Sequence, residues 1–250
     1  MSLSGWETAQ SLYLARISEV SEFRPLFTGD VIRGVSIPGV SDVETVMVIA
    51  HPCAMRAGPQ LADQVLAAAV RPHTAQPSAR WVEGFFNRMP LPDLGGDGGS
   101  FHVAWLEQIG LVSTEELLNA ERIACLSPVG VNILQQRLVF YLTRVEIKTS
   151  VLWEAFAHTY EESDLLEEWT EGLQGLDSSP TTSFESWIQE GSPTRQDRLR
   201  DAQYRPQIRS ELRAELRRIR EVLTVTLFAH ESAVIGAAGS ASTFAAVIRG

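Results

Sequence analysis

Near residue 113 the apolar pattern of this chain changes its period, and that change limits what the chain can fold into. Before it, apolar residues come in short runs. "GDVIRGVSIPG" (29–39) alternates around Val31, Val35 and Ile37, and "VETVMVIAH" (43–51) is a continuous β-branched run. Alternation suits a half-buried strand, and a continuous run suits a strand buried on both faces. The link "PGVSD" (38–42) is short, so the two predict a hairpin. "RWVEGFFNRMPLP" (80–92) and "FHVAWLEQIGLVS" (101–113) read as further strands around "DLGGDGGS" (93–100). That loop lacks the lysine and following Ser/Thr of a phosphate loop. "DQVLAAAVRP" (63–72) fits two readings: its alanines favour a helix, its length and Pro72 a strand.

After residue 113 the period is helical. "STEELLNAERIACLS" (113–127) opens with a capping-box pattern, Ser113 and Glu116. "SPVGVNILQQRLVFYLTRVEI" (127–147) has Ser127 as N-cap and Pro128 at the first helical position. Helical stretches follow at 149–173 and 195–230, separated by a Ser/Thr/Gly/Pro linker at 175–183. In the last stretch, Pro206 either caps or kinks the helix, and Ile208, Leu212, Leu216, Ile219 and Leu223 form an apolar stripe. A short helix is also expected at the start, since Trp6, Ala9, Tyr13, Ile17 and Val20 share helical spacing. The fold class is α+β. Residues 1–147 form a barrel-like domain, and 148–250 form a helical extension.

With 44% hydrophobic residues among 250, the chain is rich enough for a real core. A net charge of −10 disfavours a dedicated nucleic-acid binder, which carries a basic domain. Two cysteines, Cys53 and Cys125, are too few for a disulfide framework or a cysteine-based zinc site. The start shows no basic-plus-apolar signal pattern, and no apolar run approaches the roughly 18 residues of a membrane span. The expected setting is a bacterial cytoplasm with reduced thiols, without cofactor, metal or membrane.

One local cluster looks like chemistry: His51, Cys53 and Arg56. If the strand continues through Pro52, His51 and Cys53 lie on one face. A histidine there lowers a thiol pKa, and Arg56 would stabilise an oxyanion or bind a phosphate. The bland alternative is that Cys53 packs as a small hydrophobe while His51 caps backbone groups at the strand end. His102 reads as a satisfied core or surface histidine and Cys125 as core. His158 with Glu161 and Glu162 reads as a solvated helix face, and His230 as a helix cap.

Charge separates along the second half. Residues 150–194 hold ten acids and no lysine or arginine, whereas 195–220 hold nine arginines against four acids. Either the basic helix packs near the acidic one or both are solvated faces, or the edge formed by Arg205, Arg209, Arg213 and Arg217 binds a partner. The partner is then an acidic protein, a second copy or, less favoured, a nucleic-acid backbone.

Two stretches carry a family resemblance. "GDVIRGVSIPGVSDVETVMVIAHPC" resembles the opening hairpin of the MazF/PemK-like toxins, a Gly-Asp strand, a loop and an apolar strand. "ERIACLSPVGVNILQQRLVFYL" resembles their later segment, where an Arg-Ile strand and a Leu-Ser lead into the last helix of the barrel. Together they cover under a quarter of the chain. The resemblance implies an SH3-like barrel with a packed helix, and ribonuclease ancestry. It also implies a catalytic arginine in the loop after the first strand, and residues 36–45 contain none. Ala50 and His51 replace the small polar residue at the strand end, and Glu44-Thr45 stands where Arg-Pro is common.

The first expectation is therefore an interaction protein of a stress, toxin–antitoxin-like or phage-defence system, binding through its helical half. The alternatives are an enzyme using His51, Cys53 and Arg56, as thiol nucleophile or diverged endoribonuclease, and a nucleic-acid regulator using the arginine edge.

Overall fold

Val46, Met47 and Val48 are fully buried, although successive residues of a strand point to opposite faces. Such a segment needs cover on both sides. The computed structural model, which describes residues 3–5, 8–74, 81 and 84–222, supplies it. The strand β3 (Thr45–Val48) lies inside a seven-stranded sheet of order β1-β9-β2-β3-β6-β8-β7. The other strands are β1 (Tyr13–Arg16), β2 (Asp30–Arg33), β6 (Gln64–Pro72), β7 (Arg88–Pro92), β8 (Phe101–Ser113) and β9 (Glu121–Leu126). Every neighbouring pair is antiparallel. A helical turn, α1 (Pro52–Met55), and a ribbon of β4 (Arg56–Ala57) with β5 (Gln60–Leu61) lie between β3 and β6.

Each face has its own core. On one, Val31, Met47, Ala68, Met89, Ala104 and Leu126 meet Val131, Ile133 and Leu134 of helix α3 (Pro128–Thr143). On the other, Ile32, Val46, Val48, Ala67 and Ala69 meet Val35, Ile37 and Val43 of the 34–44 loop. Met55 of α1 and Leu117 of α2 (Thr114–Asn119) complete that side.

Backbone contacts seat α3. The Ser127 hydroxyl accepts from the Gly130 N–H at 3.1 Å and donates to the Ser11 carbonyl at 2.6 Å. At Gly130 a Cβ would lie 2.3 Å from the Leu12 carbonyl oxygen, so only glycine lets the helix come this close. Gly29 serves similarly before β2: its φ is +89°, and a Cβ would press on Leu126. The next residue, Asp30, is buried. Its carboxylate accepts from the Phe27 N–H at 2.9 Å and pairs with Arg122 at 3.4 Å. Burial raises its pKa against the opposing pull of Arg122 and Arg24. Arg137 of α3 is fully buried, and its guanidinium donates to the carbonyls of Trp81, Phe85 and Arg88. Those acceptors are neutral, and burial lowers its pKa to about 10.

The sheet curls until its two edges meet. The Tyr13 hydroxyl of β1 donates to the Pro92 carbonyl of β7 at 2.9 Å, in a buried hydrogen bond. Arg16 donates to the Asp93 carbonyl at 2.6 Å and pairs with the Asp93 carboxylate at 2.8 Å. Side chains make this closure, and Pro90 and Pro92 on the edge strand offer no N–H for a ladder.

Several expectations change. Ala9–Leu12 is a 3-10 turn that leads into β1, instead of a helix over 6–20, because Tyr13–Arg16 pairs with β9. Trp6 lies outside the described residues. "ERIACL" is strand β9 between β1 and β2, as the resemblance implied and the helical period did not. In the first hairpin, Val35, Ile37 and Val43 are buried in the loop instead of extending the strands. The ambiguous 63–72 segment is a strand. The 175–183 linker contains the start of helix α5 (Pro180–Ile188).

Two compact units divide after Glu167, later than the expected 147. Helix α4 (Thr149–Gly172) accounts for the shift, because its earlier part packs in the first unit. Tyr160 joins the α3 core, and Arg24 holds Glu167 at 3.0 Å. In the second unit, Trp169, Phe184 and Trp187 pack ring to ring beside the helical residues 205–222, which bury Ile208, Leu212 and Leu216. Helix α6 (Arg195–Leu199) and a 3-10 turn (Ala202–Tyr204) precede that helix, so Pro206 sits in its first turn and starts it. Leu223 and His230 lie outside the described residues. Among those residues no helix is long and apolar enough to cross a membrane.

Tyr13→Phe removes the buried closing hydrogen bond with little change of volume. Urea unfolding of this variant is expected to show a loss of about 1 kcal/mol, because the Pro92 carbonyl loses its partner. An unchanged midpoint would show that the edge contact contributes nothing.

Candidate functional site

The His51 cluster is not the shared strand face that the sequence suggested. Strand β3 ends at Val48, and Pro52 begins α1 as its first residue. His51 is the N-cap of that turn: its Nδ1 accepts the Cys53 N–H at 3.2 Å. The ring therefore points its acceptor at a backbone amide, while the Cys53 thiol is exposed. Arg56 sits past the far end of the turn, in β4. The other side of the imidazole lies 4.8 Å from the Phe156 ring, in a cleft too narrow to admit water. Burial lowers the His51 pKa, and the charge of His158 adds to it. Capping is the role this geometry gives His51.

The arginine edge is partly used inside its own unit. Arg213 pairs with Glu168 at 2.7 Å and Arg209 with the same carboxylate at 3.8 Å. Arg205 donates to the Leu199 carbonyl at 3.0 Å, whereas Arg217 is exposed. Before them, Arg195 and Arg198 share Glu211 at 3.0 and 2.9 Å. The basic segment thus packs against acidic residues, the blander of the two readings.

A different set of residues lines an open cleft of about 590 Å³. Asp42, Glu44 and Thr45 reach it from the hairpin loop and the start of β3, Arg71 and Pro72 from the end of β6, and His102 from the start of β8. The strands bring these ends together, since Pro72 pairs with His102 and Val46 with Ala69. Arg71 is held as a fork. Its Nη atoms donate to the carbonyls of Ser41 at 2.6 Å and Asp42 at 3.0 Å, and its Nε donates to Gln108 at 3.1 Å. All three acceptors are neutral, and the carboxylates of Asp42 and Glu44 line the same cleft. The His102 Nδ1 is buried without a hydrogen-bond partner among the described residues. Burial lowers the His102 pKa, Asp97 opposes it and Arg33 adds to it, so the balance favours the neutral imidazole.

A neutral imidazole and a fixed guanidinium beside one cleft can take up a proton and hold an oxyanion. Sequence reasoning passed over Arg71 and set His102 aside as structural. The one signal for Arg71 was the charged Val-Arg-Pro ending of an alanine-rich strand. Among the described residues, no three His, Cys, Asp or Glu side chains gather to hold a metal ion.

The two thiols are expected to react very differently. Cys53 is exposed, while Cys125 is buried beside Asp30, and that burial pushes its pKa up. Labelling of the native protein with a thiol reagent is expected to modify one cysteine quickly and the other only on unfolding. Two equally fast thiols would contradict the packing of β9. No known family model matches the chain, and no curated protein matches it either.

Proposed function

We propose that the first unit is an SH3-like barrel of the MazF/PemK-like kind, and that the cleft beside its hairpin loop binds and cleaves an RNA phosphodiester. The element order supports the fold reading: a Gly-Asp strand, a loop, a buried strand, and later a strand whose Leu126-Ser127 end opens the covering helix. One observation carries the function. The resemblance implies an arginine in the loop after the first strand, and that loop has none. Arg71 instead reaches the loop from β6, gripping the Ser41 and Asp42 carbonyls. In this reading Arg71 faces the phosphate oxygens and neutral His102 accepts the proton of the 2′-hydroxyl as it attacks phosphorus; the P–O5′ bond breaks, and the leaving 5′-oxygen takes its proton from water in the open cleft. A bacterial cytoplasmic stress or defence setting goes with that reading.

Incubation with single-stranded RNA tests it. The wild type is expected to cut, and His102→Gln and Arg71→Gln to cut at least about a hundredfold more slowly, the usual scale for losing an acid–base or charge-stabilising group. Cutting that survives both substitutions places the chemistry elsewhere.

A second reading, partner binding, has its own support. Leu142, Val145, Val151 and Trp153 are each 47–63% exposed around the link between α3 and α4. Apolar groups concentrated in this way mark association surfaces. Sedimentation velocity is expected to show concentration-dependent association that Leu142→Asp abolishes. A strict monomer at all concentrations counts against self-association through this corner.

A further inference from the structure

The first part of α4 is held to the barrel by aromatic contacts: Tyr160 lies 6.0 Å from Phe27 between ring centres, and Phe156 lies 4.8 Å from His51. The Tyr160 hydroxyl donates to Asn132 of α3 at 2.9 Å. His51 is the barrel's ionisable side chain among these contacts, and it has two duties. Its Nδ1 must carry a lone pair to accept the Cys53 N–H, and its ring face fills the narrow cleft against Phe156.

We infer that His51 is a pH-operated latch: protonation of its ring releases the aromatic face of α4 from the barrel. A proton on Nδ1 removes the acceptor of the N-cap bond and turns it into two opposed donors. It also places a cation in a cleft lined by Phe27, Val131, Gln135, Phe156, Thr159 and Tyr160, none of them anionic. The other ionisable groups around it give no relief. His158 of α4 acts on it as a like charge, and burial keeps the Tyr160 phenol neutral. On α1, the Cys53 thiol is exposed and Arg56, at the far end, is a cation. Since burial lowers the pKa in the docked state, docking is at full strength above the ordinary histidine value of about 6.5. It weakens as pH falls below that value and levels off at the lowered one.

Hydrogen exchange of the full chain, corrected for the intrinsic pH dependence, reads this directly. The opening equilibrium of residues 153–164 is expected to rise toward tenfold per pH unit below about 6.5. His51→Asn keeps a capping acceptor that does not titrate, and is expected to flatten the profile while leaving protection at pH 7.5 near wild type. His158→Gln is expected to retain the slope. The same slope in His51→Asn, or a flat wild-type profile, overturns the latch. An NMR titration of His51 in the wild type gives a reading free of any folding defect: a pKa at or above 6.5 also overturns it.

Discussion

The buried hydrogen bond from Tyr13 to the Pro92 carbonyl, with the Arg16–Asp93 pair beside it, joins the two edges of the sheet in the first unit. A seven-stranded antiparallel sheet has two edges, and each edge is a row of unpaired backbone groups. Here β1 and β7 are brought together without a ladder. Prolines remove donors from β7, and side chains from β1 take over the joining. Curling gives the sheet a concave interior that α3 fills, and Gly130 lets that helix press onto the Leu12 backbone. Once the interior is filled, open space is found where strands end. That is where both His51 and the Arg71–His102 cleft are found.

The two strand ends are used in opposite ways. At the His51 end, α4 covers the curled sheet, the cleft against Phe156 is too narrow for water, and the histidine does backbone work. At the His102 end, the loop is tied back by Arg71 and the cleft stays open. Each imidazole is held neutral by partial burial. The difference lies in the hydrogen bonds. The His51 Nδ1 has an N–H to accept, and the His102 Nδ1 has no partner among the described residues.

The range of each interaction along the chain decides how legible it is in the sequence. The buried run around Val46–Val48 was legible because two-sided burial needs continuous hydrophobicity. The Ser127-Pro128 start of α3 was legible because capping is local chemistry. Tyr13–Arg16 was not, and the periodicity of Glu121–Leu126 read as helix where only the resemblance implied a strand, because short segments with mixed patterns take the conformation that their pairing partners impose. The same distinction separates the candidate sites. His51 and Cys53 attracted notice as sequence neighbours, yet Pro52 starts a helical turn there and the His51 ring accepts the Cys53 backbone N–H. Arg71 and His102 are 31 positions apart along the chain, and only strand register brings them to one cleft.

In the second unit, two glutamates each serve a pair of arginines: Glu211 for Arg195 and Arg198, and Glu168 for Arg209 and Arg213. Such sharing makes the unit unequal in its tolerance of change. Loss of any one arginine leaves its carboxylate a second cation, whereas loss of either glutamate takes a carboxylate from two cations at once, although Arg195 keeps Glu190 at 2.8 Å. Drift in a lineage can therefore trade arginines along this helix rather freely, while the two acids act as fixed points around which the basic sequence varies.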